Sequence, residues 1–240
     1  APFIHRFVPL SLELESYLVD AVGIPAGKSQ RICNGVDTRR FHPREGERFP
    51  IPGQDPGDIV LGSIGRMEPV KDPLNLVDAF ILAADAHATF RERARLAIVG
   101  DGSLHGQALE RLREAGLADR AWLPGHREDV AQVLRGFDLF VLPSKAEGIS
   151  NTILEAMASG LPVVATRVGG NEELLREGTN ATLVPAEDSR ALAEALWAYV
   201  REPEKCARQG HQSRIIAESQ FSIERMLRDY RDLYLKLLQP

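Results

Sequence analysis

The chain has 240 residues, 44% hydrophobic and 26% charged, with a formal net charge of −5. That supplies a buried core for one large domain or a domain and a half and argues against disorder, while the acidic balance argues against a general nucleic-acid binder. The two cysteines, Cys33 and Cys206, form no C-x-x-C pair, which is the pattern of a reduced, cytosolic protein, and no apolar run approaches the roughly 20 residues of a membrane-spanning helix.

Residues 10–22 have the spacing of an amphipathic helix, with Ser11 as its cap and Gly23 and Pro25 at its end. Residues 29–33 predict a short strand, and Asn34-Gly35 a turn. The stretch 42–58 is rich in proline, glycine and charge. It divides the chain into a leading segment 1–45, a main domain 46–221 and a closing helix 222–240. From Asp58 onward, apolar runs at 59–64, 96–99, 121–123, 139–142, 162–166 and 182–184 alternate with helical patterns near 74–88, 104–116, 129–136, 151–159 and 171–177. Several of these runs are continuously apolar, as strands covered on both faces are. Strict β-α alternation predicts an α/β fold: a parallel, doubly wound, Rossmann-like sheet with right-handed crossovers. The tail reads as helices 188–201, 204–218 and 222–238, interrupted at Pro203 and Gly210. The stripe Met226, Leu227, Tyr230, Leu233, Tyr234 and Leu237 reads as a packing face.

Ligands of open parallel sheets bind outside the carboxyl ends of the strands, so the residues after each strand are the candidates. They are Gly65-Arg66 with Lys71, then Gly100-Asp101-Gly102, then Pro124-Gly125-His126-Arg127, then Ser144 through Glu155, then Gly169-Gly170-Asn171-Glu172. Each alone is ordinary loop chemistry; five along one edge make a candidate site. Glu147 and Glu155 are eight positions apart. On one continuous helix they would stand roughly 80° apart and about 12 Å along the axis, facing no common small site. With Glu147 in the loop and Glu155 inside the helix, both can line a ligand across the helix N-terminus, where N–H groups and the helix dipole favour phosphate. Two solvated glutamates flanking a turn is the plainer alternative. Arg66 and Lys71 read either as solvated cations or as a diphosphate clamp. His105 and His126 read as structural or solvated.

Other chemistries find little support. There is no D-x-D, no Cys/His cluster at metal-ligand spacing and no G-x-x-x-x-G-K-[ST], so neither a metal nor an organic cofactor is expected. Gly100, Gly102 and Gly106 give G-x-G-x-x-x-G, one residue longer than the dinucleotide fingerprint, and the acid expected after the next strand is absent. No G-x-S-x-G elbow is present.

In order along the chain, Ile32-Cys33-Asn34-Gly35-Val36-Asp37 with Phe41 and Pro43, Gly65-Arg66 to Lys71, Gly100-Asp101-Gly102, Glu147-Gly148 to Glu155, and Gly160-x-Pro162-Val163-Val164 with Gly169-Gly170 and Glu173 occur together. In this the chain resembles the C-terminal half of retaining GT-B glycosyltransferases of the group 1 or family 4 class, and within it the bacterial exopolysaccharide sugar transferases. The resemblance implies a hexosyl transfer with retention from a nucleoside-diphosphate (NDP) sugar to a saccharide or lipid-linked acceptor in polysaccharide biosynthesis. It implies roles by position. Gly65, Arg66 and Lys71 would hold the donor diphosphate. Gly125, His126 and Arg127 would flank the base. Glu147 would support developing charge at the anomeric carbon. Gly148, Ile149, Ser150 and Asn151 would present the helix N-terminus, and Glu155 would accept ribose hydroxyls. Arg66, Lys71 and Glu147 are the expected catalytic set. Many members have Phe-Gly where Ile149-Ser150 stands here, which leaves the sugar contacts open.

Such enzymes have two Rossmann-like domains. With about 45 residues ahead of the main domain and Ala1 at its start, the chain reads as a fragment lacking its N-terminal partner domain. The expected consequences are inactivity alone, self-association through uncovered apolar faces, and membrane-face association only through that partner. A GT-B nucleotide-sugar epimerase and a non-catalytic nucleotide-binding module are the alternatives.

Overall fold

The computed structural model describes residues 4–239. Its strands are β1 (Ile59–Ile64), β2 (Ala94–Val99), β3 (Ala121–Gly125), β4 (Leu139–Leu142), β5 (Val163–Thr166) and β6 (Ala181–Val184). All pairings between them are parallel, in the spatial order β3-β2-β1-β4-β5-β6. The helices are α1 (Leu12–Ser16), α2 (Pro73–Ala86), α3 (Ala88–Arg93), α4 (His105–Glu114), α5 (Val130–Leu134), α6 (Asn151–Ala158), α7 (Asn171–Leu174), α8 (Ser189–Arg201), α9 (Pro203–Gln220) and α10 (Ile223–Leu238).

Side chains alternate across a strand, and here each half enters a different core. Val60, Ile64, Phe140, Leu142 and Val163 meet α5, α6 and α9 on one side. Ile59, Leu61, Leu96, Leu139 and Val141 meet α2, α3, α4 and α8 on the other. Two covered faces explain why the strands read as unbroken apolar runs. They also leave the strand ends as a place where a ligand can reach the sheet. The order places the topological switch between β1 and β4, whose following chains depart in opposite directions across the sheet.

The α/β parallel architecture agrees with the sequence reading, and local differences have identifiable causes. The expected strand at 29–33 is only an isolated bridge from Ser29 to Phe7, because three backbone bonds, Phe7 to Lys28, Gln30 to Phe7 and Ile32 to Pro9, pair it with a segment that forms no strand. The leading helix starts at Leu12 with Ser11 as cap, then widens into a π-helical turn at Tyr17–Ala21. The first long helix stops at Ala86. His87 is extended and stacks on Trp197 at 4.2 Å, and the chain re-enters a helix at Ala88. Gly210 does not interrupt α9. A Cβ there would lie 2.2 Å from the Gly160 carbonyl, so this glycine lets α9 lie against the end of α6. Val36 and Phe41, ahead of position 45, are buried in the same core as β4 and β5. Val36 also exchanges backbone bonds with Phe221 and Ile223, at 2.8 and 3.0 Å, which ties the leading segment to the start of α10. No helix of the described residues is long and apolar enough to cross a membrane.

Gly62 shows how tightly the sheet is covered. A Cβ on this β1 residue would fall 2.0 Å from the Phe137 ring, which lies flat on the bare strand. Gly62→Ala is expected to destabilise the chain by about 1–3 kcal/mol through overpacking. Urea unfolding should show a lower midpoint at unchanged slope; an unmoved midpoint would refute this contact.

Candidate functional site

The loop after β1 is built against the loop after β2. Gly65 donates to the Val99 carbonyl at 3.0 Å and Met67 to the Asp101 carbonyl at 2.9 Å. A Cβ on Gly100 would fall 1.9 Å from the Gly65 oxygen, and one on Gly102 would fall 2.6 Å from the Met67 oxygen. The G-x-G spacing is therefore a close-approach device that presses one loop on another, not a dinucleotide fingerprint. The two loops and the end of β3 enclose a cavity of about 430 Å³. Ile64, Val99 and Val130 form its apolar wall, and Gly65, Arg66, His126 and Arg127 its rim. Gly125 turns the chain there at φ 80°.

The rim residues differ in freedom. Arg66 is exposed and has no carboxylate partner among the described residues. Arg127 has its guanidinium engaged by Asp129 at 2.8 and 2.5 Å and lies over the Trp122 ring. That pairing raises the pKa of Arg127 and lowers that of Asp129. His126 is exposed. His105 is on α4, 3.2 Å from the Leu123 carbonyl, in a structural role.

At the switch between β1 and β4 stands an ion pair. Lys71 ends a 3₁₀ turn, Pro69–Lys71, and its Nζ donates to Glu147 Oε1 at 2.6 Å. Ser144 Oγ donates to the same oxygen at 2.6 Å. The Glu147 side chain is 7% exposed and that of Lys71 26%. Glu147 Oε2 has no hydrogen-bond partner among the described residues. A carboxylate this shielded depends on its cation, because removing one partner leaves the other buried and uncompensated.

The loop carrying Glu147 rests on the turn after β5. Thr166 Oγ1 donates to the Ser144 carbonyl at 2.5 Å, and Gly170 N–H to the Gly148 carbonyl at 2.9 Å. A Cβ on Gly169 would fall 1.7 Å from the Glu147 oxygen, so no other residue fits there without moving the loop. Ile149 and Ser150 turn their side chains inward. Ile149 is buried in the core, and Ser150 Oγ caps α6 by accepting from Ile153 N–H at 3.3 Å. The N–H groups of Gly148, Ile149 and Ser150 have no acceptor among the described residues, which leaves donors at the N-terminus of α6 as an anion site requires. Asn151 is held by Asn34, 2.8 Å away.

Glu155 stands apart from this group. It opens onto a separate cavity of about 320 Å³ beside Asn34, Asp37, Phe41 and Met226. Burial pushes its pKa up to about 7, against the opposing charge of Arg40. A wider cleft, about 930 Å³, holds neither Lys71 nor Glu147 and is bordered by Gly169 of the turn on which the Glu147 loop rests. Glu173 closes one side of it, accepting from Leu12 N–H at 2.7 Å and from Arg31 at 2.9 Å.

The structure thus gathers Gly65, Arg66, His126 and Arg127 in one cavity, pairs Lys71 with Glu147, and sets Glu155 in another cavity. Sequence reasoning placed Ser144 at the head of a candidate stretch without a role of its own, and missed Thr166. Their small hydroxyls between a strand and a glycine carried no spacing signal.

Residues 58–202 match the family described as "Glycosyl transferases group 1". The chain is 31% identical over 213 residues to the lipopolysaccharide core biosynthesis mannosyltransferase LpsB of Rhizobium meliloti (strain 1021), covering 87% of this chain and 61% of that protein. It is 28% identical over 211 residues to the N-acetyl-alpha-D-glucosaminyl L-malate synthase of Bacillus anthracis, covering 88% and 54%. It spans little more than half the length of these two curated relatives. Among solved structures, Anabaena Alr3699/HepE in complex with UDP superposes with a TM-score of 0.82 at 22% identity, over 97% of this chain and 64% of that one. With the parallel sheet, the glycine-packed strand ends and the family match over residues 58–202 all in agreement, the chain belongs to the group 1 glycosyltransferases.

Proposed function

We propose that this chain provides the NDP-sugar site of a retaining hexosyltransferase that acts on a saccharide or lipid-linked acceptor. The observation that carries this reading is the Lys71–Glu147 pair at the β1–β4 switch, backed by Ser144 and flanked by the unbonded N–H groups of Gly148, Ile149 and Ser150 ahead of α6. The base enters the cavity of Ile64, Val99 and Val130. The diphosphate lies between Arg66, Lys71 and the helix N-terminus. The anomeric carbon stands near Glu147.

Two states of Lys71 follow. In the empty site it neutralises Glu147. When a diphosphate arrives, the ammonium is drawn to the stronger negative charge and Glu147 is released toward the sugar. During transfer the bond from the anomeric carbon to the diphosphate oxygen breaks, an acceptor hydroxyl oxygen bonds to that carbon on the same face, and the hydroxyl proton passes to the departing diphosphate oxygen. Negative charge gathers on the leaving group, where fixed cations and N–H groups stabilise it most effectively. Glu147 faces the complementary positive charge on the sugar. The side chains of Ile149 and Ser150 are turned inward, so this loop meets the sugar through its backbone.

In this reading the fixed cations and the N–H groups ahead of α6 take the part that a metal ion would play, so the proposed site is metal-independent. Cys33 and Cys206 are free thiols, which suits the reducing cytoplasm. A second Rossmann-like domain would complete the cleft and contact the acceptor, and the donor is the ligand proposed for the residues described here. HepE, the 22–23% identical fold neighbour, was solved with UDP and with UDP-glucose, which makes UDP the first probe here.

Arg66→Ala and Lys71→Ala are each expected to weaken UDP or GDP binding by about tenfold or more, the scale of a lost charge-assisted hydrogen bond. Unchanged calorimetric affinity in both would sink the clamp. Glu155→Ala should weaken nucleotides more than free pyrophosphate; equal losses would remove its ribose role. The ionised carboxylate is the form that accepts two hydroxyls, and the carboxyl of Glu155 holds its proton up to about pH 7. NDP affinity should therefore rise from pH 6 to pH 8 more steeply in the parent than in Glu155→Gln. Parallel profiles would show that Glu155 does not titrate against the ligand.

A further inference from the structure

The loops at the switch carry a second ionic cluster that the donor clamp does not use. Lys145 Nζ lies 2.6 Å from Glu187 Oε1 and 3.8 Å from Asp72 Oδ2, and the Lys145 N–H donates to the Val70 carbonyl at 2.9 Å. One residue thus joins the loops after β1, β4 and β6. Asp72 and Glu187 share a further property: they are the two non-glycine residues, among those described, with positive φ, at 48° and 59°. A residue with a Cβ avoids this region and persists in it when its surroundings hold it there. Both of these carboxylates are held by the same ammonium.

The contacts between the first two loops alternate along the chain. Val70 receives the Lys145 N–H, Lys71 reaches Glu147, and Asp72 meets the Lys145 ammonium. Lys71 therefore stands between two residues fastened to Lys145, and its own partner lies two positions beyond Lys145. If a diphosphate draws Lys71 away from Glu147, the Val70 and Asp72 contacts keep the loops at their spacing. We propose that Lys145 is a positioning residue for the donor clamp, which it serves by fixing the backbone on either side of Lys71 through Asp72 and Glu187. The inference rests on the donor-site reading above. With its charge engaged by two carboxylates, Lys145 acts through Lys71 and does not meet the diphosphate.

An exposed ion pair contributes little to global stability, so the informative readouts are affinity and coupling. Calorimetry of UDP and GDP on the 240-residue chain is expected to show about fivefold weaker binding in Lys145→Met. Lys145→Arg should restore most of the loss, and Glu187→Gln should reproduce part of it. Thermal midpoints should stay within about 2 °C of the parent. In a Lys71→Ala background, adding Lys145→Met should change affinity by less than about twofold, since no clamp remains to be positioned. A full loss persisting in that background would mean that Lys145 meets the ligand directly, and would overturn the proposal. So would parental affinity in Lys145→Met. Absence of NDP binding by the unaltered chain would overturn the donor-site reading and this inference together, a result distinct from either of those.

Discussion

Lys71 and Glu147 meet across the line where the order of the sheet reverses. The strands before them, β1 and β4, are neighbours, and the chains leaving those strands turn in opposite directions. At that point two loops diverge enough to leave a crevice while remaining close enough for a 2.6 Å ion pair. Much of the surrounding structure serves to make this meeting repeatable. Ser144 holds the same carboxylate oxygen, Thr166 holds Ser144 from behind, and the Gly169-Gly170 turn lies flush against the backbone of Glu147 and Gly148. A buried carboxylate is tolerable because its cation and hydroxyl are already in place. The same low exposure makes it sensitive to any ligand that draws the cation away.

Glycine contributes here through contact more than through flexibility. Gly100 against Gly65 and Gly169 against Glu147 are approaches of backbone to backbone that any side chain would prevent. They stack the strand-end loops into one continuous edge. Cations and helix N–H groups from different parts of the sequence can then face a single ligand with little reorganisation, the condition under which electrostatic stabilisation of a leaving group is most effective. Lys145 belongs to the same logic from the outer side of the loops. Its ammonium holds two residues in a backbone conformation they would otherwise avoid.

The sequence by itself determined the parallel α/β sheet, because continuous apolar runs separated by helical periods admit few other arrangements. It also determined which residues lie at the strand ends. Arg66, Lys71, His126, Arg127 and Glu147 were legible there because each follows an apolar run and a glycine or proline. Tertiary structure decided what those residues do to one another. It paired Lys71 with Glu147 although 76 positions separate them, and it engaged Arg127 with Asp129. It turned Ile149 and Ser150 inward and set Glu155 in a cavity shared with Asn34 and Asp37. It also withdrew the short strand expected at 29–33 and carried α9 through Gly210. The physical reason is common to these cases. Periodicity records which face of an element is apolar, whereas charge pairing, close backbone approach and the partners of a strand depend on which loops the sheet order brings side by side.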